Sequence, residues 1–290
     1  MSKKPDPRRN AYRADLATEA LRGTVEAVRY VEGELRQVTA PSLPVRREPR
    51  FDAMLDTEAL LGETVTVYDE QEGWAWVQLA RDGYVGYLPS EGLSLRIVVP
   101  THRISALRTY LFPEPDSKSP PLALLSLNAA VAVAQEEGRF FRLGDGGYVY
   151  AQHASRIGEV ARDPVAVAET FAGTPYLWGG RTSIGLDCSG LVQLAAEAAG
   201  IAAPRDADMQ AAELGRPVPL RERGKLRRGD LVFWEGHVGI VTSPTRFLHA
   251  NAYHMAVVAE PFAEARARMR KAGFEVTCVR RLPRKRKTRR

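Results

Sequence analysis

The stretch spanning residues 49–85 recurs further along the chain. Pro49, Leu60 and Leu61 align with Pro113, Leu124 and Leu125 at a separation of 64 residues, and Gly83-Tyr84-Val85 aligns with Gly147-Tyr148-Val149 at the same separation. Between these anchors residues 66–73 match 131–138 at a separation of 65, so one residue is gained and lost inside the repeat. Self-similarity at this length means two consecutive domains of one type. In each copy an alternating strand (Val65, Val67; Val131, Val133) runs into an acidic turn and then an apolar strand rich in aromatics (Trp74, Trp76, Val77; Phe140, Phe141, Leu143). Short strands with turns every eight to twelve residues or so specify a small β-barrel.

A Val98-Val99 strand followed by Pro100 separates the copies, giving barrels over 37–98 and 99–155. Residues 1–36 precede them, with a helical turn expected over 16–21 and then an extended lead-in. After residue 155, Asp163-Pro164 followed by Val165, Val167, Ala168 and Phe171 reads as a helix capped by Asp163, with proline in its first turn. The remainder, 156–283, has helices first and antiparallel strands after, an α+β unit.

Within that unit, Asp187-Cys188-Ser189-Gly190 lies between a turn-rich approach (residues 173–180) and an apolar segment of helical spacing (Leu191, Val192, Leu194, Ala195, Ala198, Ala199) closed by Gly200. This places Cys188 at a helix N-terminus, where unpaired N–H groups and the dipole favour the nucleophilic thiolate. A base is needed, and two histidines are placed to supply it. His237 lies in a β-branched run after Arg228-Gly229-Asp230, and His249 in Phe247-Leu248-His249-Ala250, each reading as a strand. Nucleophile on a helix, base on a strand and a third polar group to orient the base is the logic of a catalytic triad. The same thiolate and two imidazoles are also three zinc ligands, but no Cys-x-x-Cys or His-Glu-x-x-His spacing accompanies them, and neither metal nor cofactor is expected.

Four separated stretches, Tyr176-Leu177-Trp178-Gly179-Gly180, Asp187-Cys188-Ser189-Gly190, Arg228-Gly229-Asp230-Leu231-Val232-Phe233 and His237-Val238-Gly239-Ile240, together resemble the NlpC-type, papain-like cysteine peptidases that cut bacterial cell-wall peptides. The order of strands in the two repeats resembles bacterial SH3-like barrels. The resemblance implies a papain-like domain preceded by two SH3-like barrels, with Cys188 as nucleophile, His237 as base, His249 orienting His237, and the Cys188 N–H with the Tyr176 hydroxyl at the oxyanion site. It makes Trp178, Asp187, Ser189, Arg205 and Asp206 cleft residues. From sequence physics alone Asp206 reads equally as the N-cap of a helix running to Leu214. Similar enzymes carry a serine where this chain has Ala207.

Relatives of this architecture resemble γ-D-glutamyl-L-diamino-acid endopeptidases of murein-peptide recycling, which require a free N-terminal L-alanine. In them the aspartate before the nucleophile and the first barrel bind the terminal ammonium. That points to Asp187 here, and in the barrel to Tyr84 and Glu63 ahead of Glu58 and Tyr87. The partner expected is therefore a murein-derived peptide. A murein hydrolase anchored to the wall by its barrels, and a catalytically inactive binding protein, are the alternatives.

The net charge of +6 invites a nucleic-acid reading until it is located. Six cations, Arg284, Lys285, Arg286, Lys287, Arg289 and Arg290, lie in a terminal tail with no interleaved aromatic, so a solvated tail is expected and nucleic acid is not. Arg266, Arg268 and Arg270, on a charged helix over 261–271, are expected to form a solvated face. No apolar run approaches the ~18 residues of a membrane span, so no membrane partner is expected, and the N-terminal segment has no apolar stretch of a secretory signal. Cys188 and Cys278, 90 positions apart, make no disulfide framework, and Cys278 is expected to be a buried small hydrophobe. A free thiol without an export signal indicates the cytoplasm.

Overall fold

Two strands rich in β-branched and aromatic residues, Thr64–Gln71 and Trp74–Leu79, form the spine of the first repeat. Glu72 and Gly73, both at positive φ (49° and 79°), join them in a two-residue turn whose twist matches that of the strands. In the computed structural model, which describes residues 4–219 and 226–283, these strands belong to a seven-stranded sheet. The chain divides into two units, Met1–Ile157 and Gly158–Arg290.

In the first unit, Ala75, Val77 and Leu79 point into a core with Val45, Val65, Val67 and Leu88. Trp76 points the other way, yet is only 3% exposed, because Ala11 and Leu16 of the N-terminal segment cover it. That segment differs from the helical turn expected. Leu16–Thr18 is a strand paired in parallel with Arg29–Val31, and only Glu19–Leu21 turns, as a 3-10 helix. The barrel sheet begins at Glu34, and residues 98 and 99 form no strand.

The second repeat builds a five-stranded and a three-stranded sheet between His102 and Arg156. The repeated glycines keep their geometry, Gly83 and Gly147 at φ 76° and 79°, Gly73 and Gly138 at 79° and 61°. Phe140, aligned with the strand that carries Trp74 and Trp76, remains half-exposed in a row of rings with Phe112 and Tyr150.

The second unit starts with α1 (Pro164–Glu169), capped as expected by Asp163, whose side chain accepts from Val165 N–H at 2.9 Å. Helix α2 (Cys188–Ala198) is buried on nearly every side and packs against α1 and the strands His237–Ser243 and Arg246–Asn251. Helix α3 (Ala207–Glu213) follows. Six antiparallel strands run in the order Arg216–Pro217, Cys278–Arg281, Asp230–Trp234, His237–Ser243, Arg246–Asn251, Ala256–Pro261. Val232, Trp234, Val241 and Phe247 share a core with Ala265 of α4 (Phe262–Lys271), while the alternate residues Leu231 and Phe233, equally buried, face the other side. Asp230, fully buried, accepts from Arg281 at 2.6 and 2.8 Å and from Arg227 N–H, which ties two neighbouring strands together. Cys278 is half-buried on the Cys278–Arg281 strand rather than in the core. The tail 284–290 lies outside the described residues.

Candidate active site

Asp187 starts α2 as its N-cap, accepting from Gly190 N–H at 2.7 Å. Gly190 has no room for a side chain, since a Cβ there would sit 2.5 Å from the Gly180 carbonyl oxygen. The approach loop therefore lies directly on the first turn of α2, and Gly179 N–H donates to Asp187 Oδ2 at 2.9 Å. Arg205, 1% exposed, completes the arrangement by donating to both Asp187 oxygens, at 2.9 and 2.7 Å, and to Ser189 Oγ at 2.8 Å. Asp187, Ser189 and Arg205 thus form one buried ionic cluster that fixes the helix start. The Asp187 carboxylate is thereby surrounded by donors from the protein itself.

Asp206 precedes α3 and is half-exposed, and its side chain does not cap the helix as sequence physics allowed. Trp178 is 57% exposed on the approach loop. Tyr176, half-buried, has its phenol pushed up by burial and then by the proximity of Cys188 and Asp187, so it remains a neutral donor.

Cys188 is buried, and its sulfur is met by the backbone N–H of Val238, the residue after His237. Burial, reinforced by Asp187, pushes the thiol up to about 12. The pull of the helix N-terminus toward a thiolate is therefore opposed by burial, which favours the thiol.

His237 opens its strand, and its Nε2 lies 2.8 Å from Nδ1 of His249 on the next strand. The pairing Ile240↔Leu248 sets Gly239 opposite His249, so the two histidines lie diagonally on one face. Gly239 makes this possible, since a Cβ there would meet Phe247 Cζ at 2.3 Å and His249 Cβ at 2.8 Å. Burial, then His249, lowers His237 to about 3, and burial lowers His249 to about 4 against the opposing pull of Glu260. Both rings are neutral at rest.

A second diagonal step, unforeseen from the sequence, reaches Glu260, whose Oε1 is 2.7 Å from His249 Nε2. Arg268 of α4 grips both Glu260 oxygens and lies over the Tyr253 ring at 4.3 Å. Arg268 is therefore no member of a solvated face. Burial opposes ionisation of Glu260, but the hydrogen bonds from Arg268 and His249 outweigh it and hold the carboxyl down to about 2.

In the first unit, Tyr84 is 4% exposed and packs in the barrel core, and it also lines an open cavity of about 1090 Å³. Glu63 accepts from Leu60 N–H at 3.0 Å and pairs with Arg81 at 3.1 Å, so it too serves the barrel. Tyr87 lines the same cavity, with Arg13, Arg47, Asp56 and Trp76. Glu58 lies on the Leu55–Leu60 strand, half-buried.

A helix that begins at a thiol and packs on an antiparallel sheet carrying two bonded histidines is the papain-like architecture, and here it follows an SH3 domain. Residues 173–272 match the NlpC/P60 family, and residues 45–93 match the bacterial dipeptidyl-peptidase Sh3 domain. The gamma-D-glutamyl-L-lysine dipeptidyl-peptidase of Bacillus subtilis (strain 168) is 31% identical over 227 residues, covering 69% of this chain and 73% of the relative. The protein of that name from Bacillus cereus (strain ATCC 10987 / NRS 248) is 28% identical over 206 residues, 62% of this chain and 60% of its own length. A solved NlpC/P60 family protein from Bacillus cereus ATCC 10987 shares the fold, with a TM-score of 0.71 at 20% identity, over 86% of this chain and 100% of its own. The chain belongs to the NlpC/P60 family and is a hydrolase of the peptidase class.

Proposed function

We propose that this peptidase cleaves the γ-D-glutamyl-L-diamino-acid bond of murein peptides that carry a free N-terminal L-alanine. The observation that carries the reading is the hydrogen bond between His237 and His249, with the Cys188 sulfur met by Val238 N–H of the His237 strand, in a chain whose relatives are named for γ-D-glutamyl-L-lysine cleavage. Cys188 Sγ attacks the γ-carbonyl carbon of D-glutamate while its proton passes to His237. The C–N bond then breaks, and His237 returns the proton to the leaving amine of the diamino acid. Water, giving its proton to His237, attacks the thioester, frees the γ-carboxylate and restores the thiol. The Cys188 N–H and the neutral Tyr176 hydroxyl serve the oxyanion. Trp178, exposed on the approach loop, flanks the peptide.

With Asp187 enclosed by Arg205 and backbone donors, the half-exposed Asp206 is the cleft carboxylate we assign to the substrate ammonium. We place the reaction in the cytoplasm, where a free nucleophilic thiol persists. Among the described residues, no helix is long and apolar enough to cross a membrane. The test compares L-Ala-γ-D-Glu-diamino-acid tripeptide, its N-acetylated form and intact murein with the full chain. Cleavage of the free tripeptide, reduced by orders of magnitude on acetylation, is expected, and Asp206→Asn should raise KM for the free form alone. Turnover of intact murein with no action on tripeptide would favour the wall hydrolase instead, and inactivity on all three the binding protein.

A further inference from the structure

Hydrogen positions in a chain of imidazoles follow from whichever end has only one possible role. At one end of this chain stands Glu260, fixed by two hydrogen bonds from Arg268. A carboxylate only accepts. We infer that Glu260 is a positioning residue that sets the tautomers of both histidines and leaves Nδ1 of His237 bare as the base.

Each step is forced by the one before. Oε1 of Glu260 accepts, so His249 Nε2, at 2.7 Å, carries a proton and donates. A neutral imidazole has one N–H, so His249 Nδ1 holds a lone pair. His237 Nε2, 2.8 Å from that lone pair, must then be the donor, and the single lone pair of His237 falls on Nδ1. The opposite assignment sets a lone pair against a carboxylate. His249 is 1% exposed, so water cannot substitute for a missing partner. When His237 takes up the thiol proton, its positive charge is opposed by an anion across one intervening ring. Arg268 keeps that anion in place, and its guanidinium is itself held between Glu260 and the Tyr253 ring. His254 Nε2, 3.7 Å from Glu260 Oε1, is the other titratable group facing the carboxylate.

The inference rests on the proposed roles of Cys188 and His237, and its first readout is independent of them. Imidazole nitrogen NMR of the full chain with 15N-labelled histidine, at neutral pH, should show protonated Nε2 and bare Nδ1 on both rings. A proton on Nδ1 of either ring overturns the inference whatever the activity. Glu260→Leu removes the acceptor and should lower kcat about 10- to 100-fold with KM little changed, while disturbing the His249 tautomer signal. Glu260→Gln, which still offers an oxygen at the Oε1 position, should recover part of that loss. Should Glu260→Leu fail to fold, Arg268→Met, which loosens the carboxylate without removing it, is read the same way. Wild-type kcat with unchanged ring signals in these variants would equally overturn the assignment. Full turnover by Cys188→Ala, with the wild-type tautomers as stated, would sink the proposed chemistry and leave the tautomer assignment standing.

Discussion

Replacing Arg205 by methionine tests whether Asp187 holds the helix or the substrate. Methionine fills much of the space of the arginine stem but removes the charged donors at 2.9 and 2.7 Å from Asp187 and at 2.8 Å from Ser189. Breaking a buried ion pair by removing one partner costs about 3–5 kcal/mol, because the remaining charge stays desolvated. Asp187 keeps Gly179 N–H, Gly190 N–H and Ser189 Oγ, which places the expected loss near the lower end, about 3 kcal/mol. For a unit the size of Gly158–Arg290 that lowers the melting temperature by roughly 10 °C. Calorimetry of the full chain should show the transition of this unit moving while that of the first unit stays. Asp187→Asn should cost a similar amount, and the double variant about 2 kcal/mol less than the sum, since neither charge is then left alone. Strictly additive losses would refute the ion-pair account. An unchanged melting temperature with KM raised for free tripeptide, and not for the acetylated form, would restore Asp187 and Arg205 to substrate binding.

With Cys188 pushed up to about 12 and His237 down to about 3, the resting pair is neutral. Iodoacetamide labelling of Cys188, separated from Cys278 by peptide mapping, should therefore show no fast phase near pH 5. The base works unprotonated, so kcat/KM should hold its plateau well below the ordinary histidine range and fall only as pH approaches about 4. A Cys188 thiol that labels with an apparent pKa below 7 would falsify this. Gly239→Ala forces a methyl group against Phe247 and His249 and should cost about 1–3 kcal/mol of stability and tenfold or more in kcat; an unchanged kcat would mean that His249 does not need that approach. His249→Asn and His249→Gln should retain more turnover than His249→Ala, and equal loss in all three would deny it an orienting role.

The two repeats were legible because their information is local. Strand alternation and the positive-φ glycines at 73, 83, 138 and 147 recur in each copy at spacings that differ by one residue, and Asp163 caps α1 with its own neighbours. What the sequence concealed is long-range. Trp76 reads as an ordinary strand aromatic, and nothing near it says that Leu16, sixty residues earlier, closes over it. Arg268 was obscured by Arg266 and Arg270 on a highly charged helix. A signal was present, however. Ala265 is fully buried, and Arg268 lies three residues on, on the same helical face, so it turns toward the sheet. Glu260 had a signal as well, since the hairpin register that sets His249 opposite Val258 puts residue 260 one diagonal step away on the same face.

The sequence around Cys188 placed it at a helix start, as the structure has it, but a helix terminus is a small lever on the charge of a buried sulfur. A helix N-terminus favours an anion by about 1 kcal/mol, and about 2 in partly buried geometry. Enclosure of Cys188 beside the Asp187 carboxylate raises the thiol to about 12, roughly 4 kcal/mol against the thiolate. Burial outweighs the helix terminus here. The capping Asp187 thus fixes the geometry of α2 at the expense of the charge on the sulfur. Activation is then left to proton transfer during attack, which succeeds only if the accepting nitrogen of His237 is bare and aimed before the substrate arrives. That requirement falls on the opposite side of the site, on three residues stepping diagonally across adjacent strands and an arginine reaching down from α4. A cysteine held as a thiol therefore depends more on the alignment of its base than one held as a thiolate.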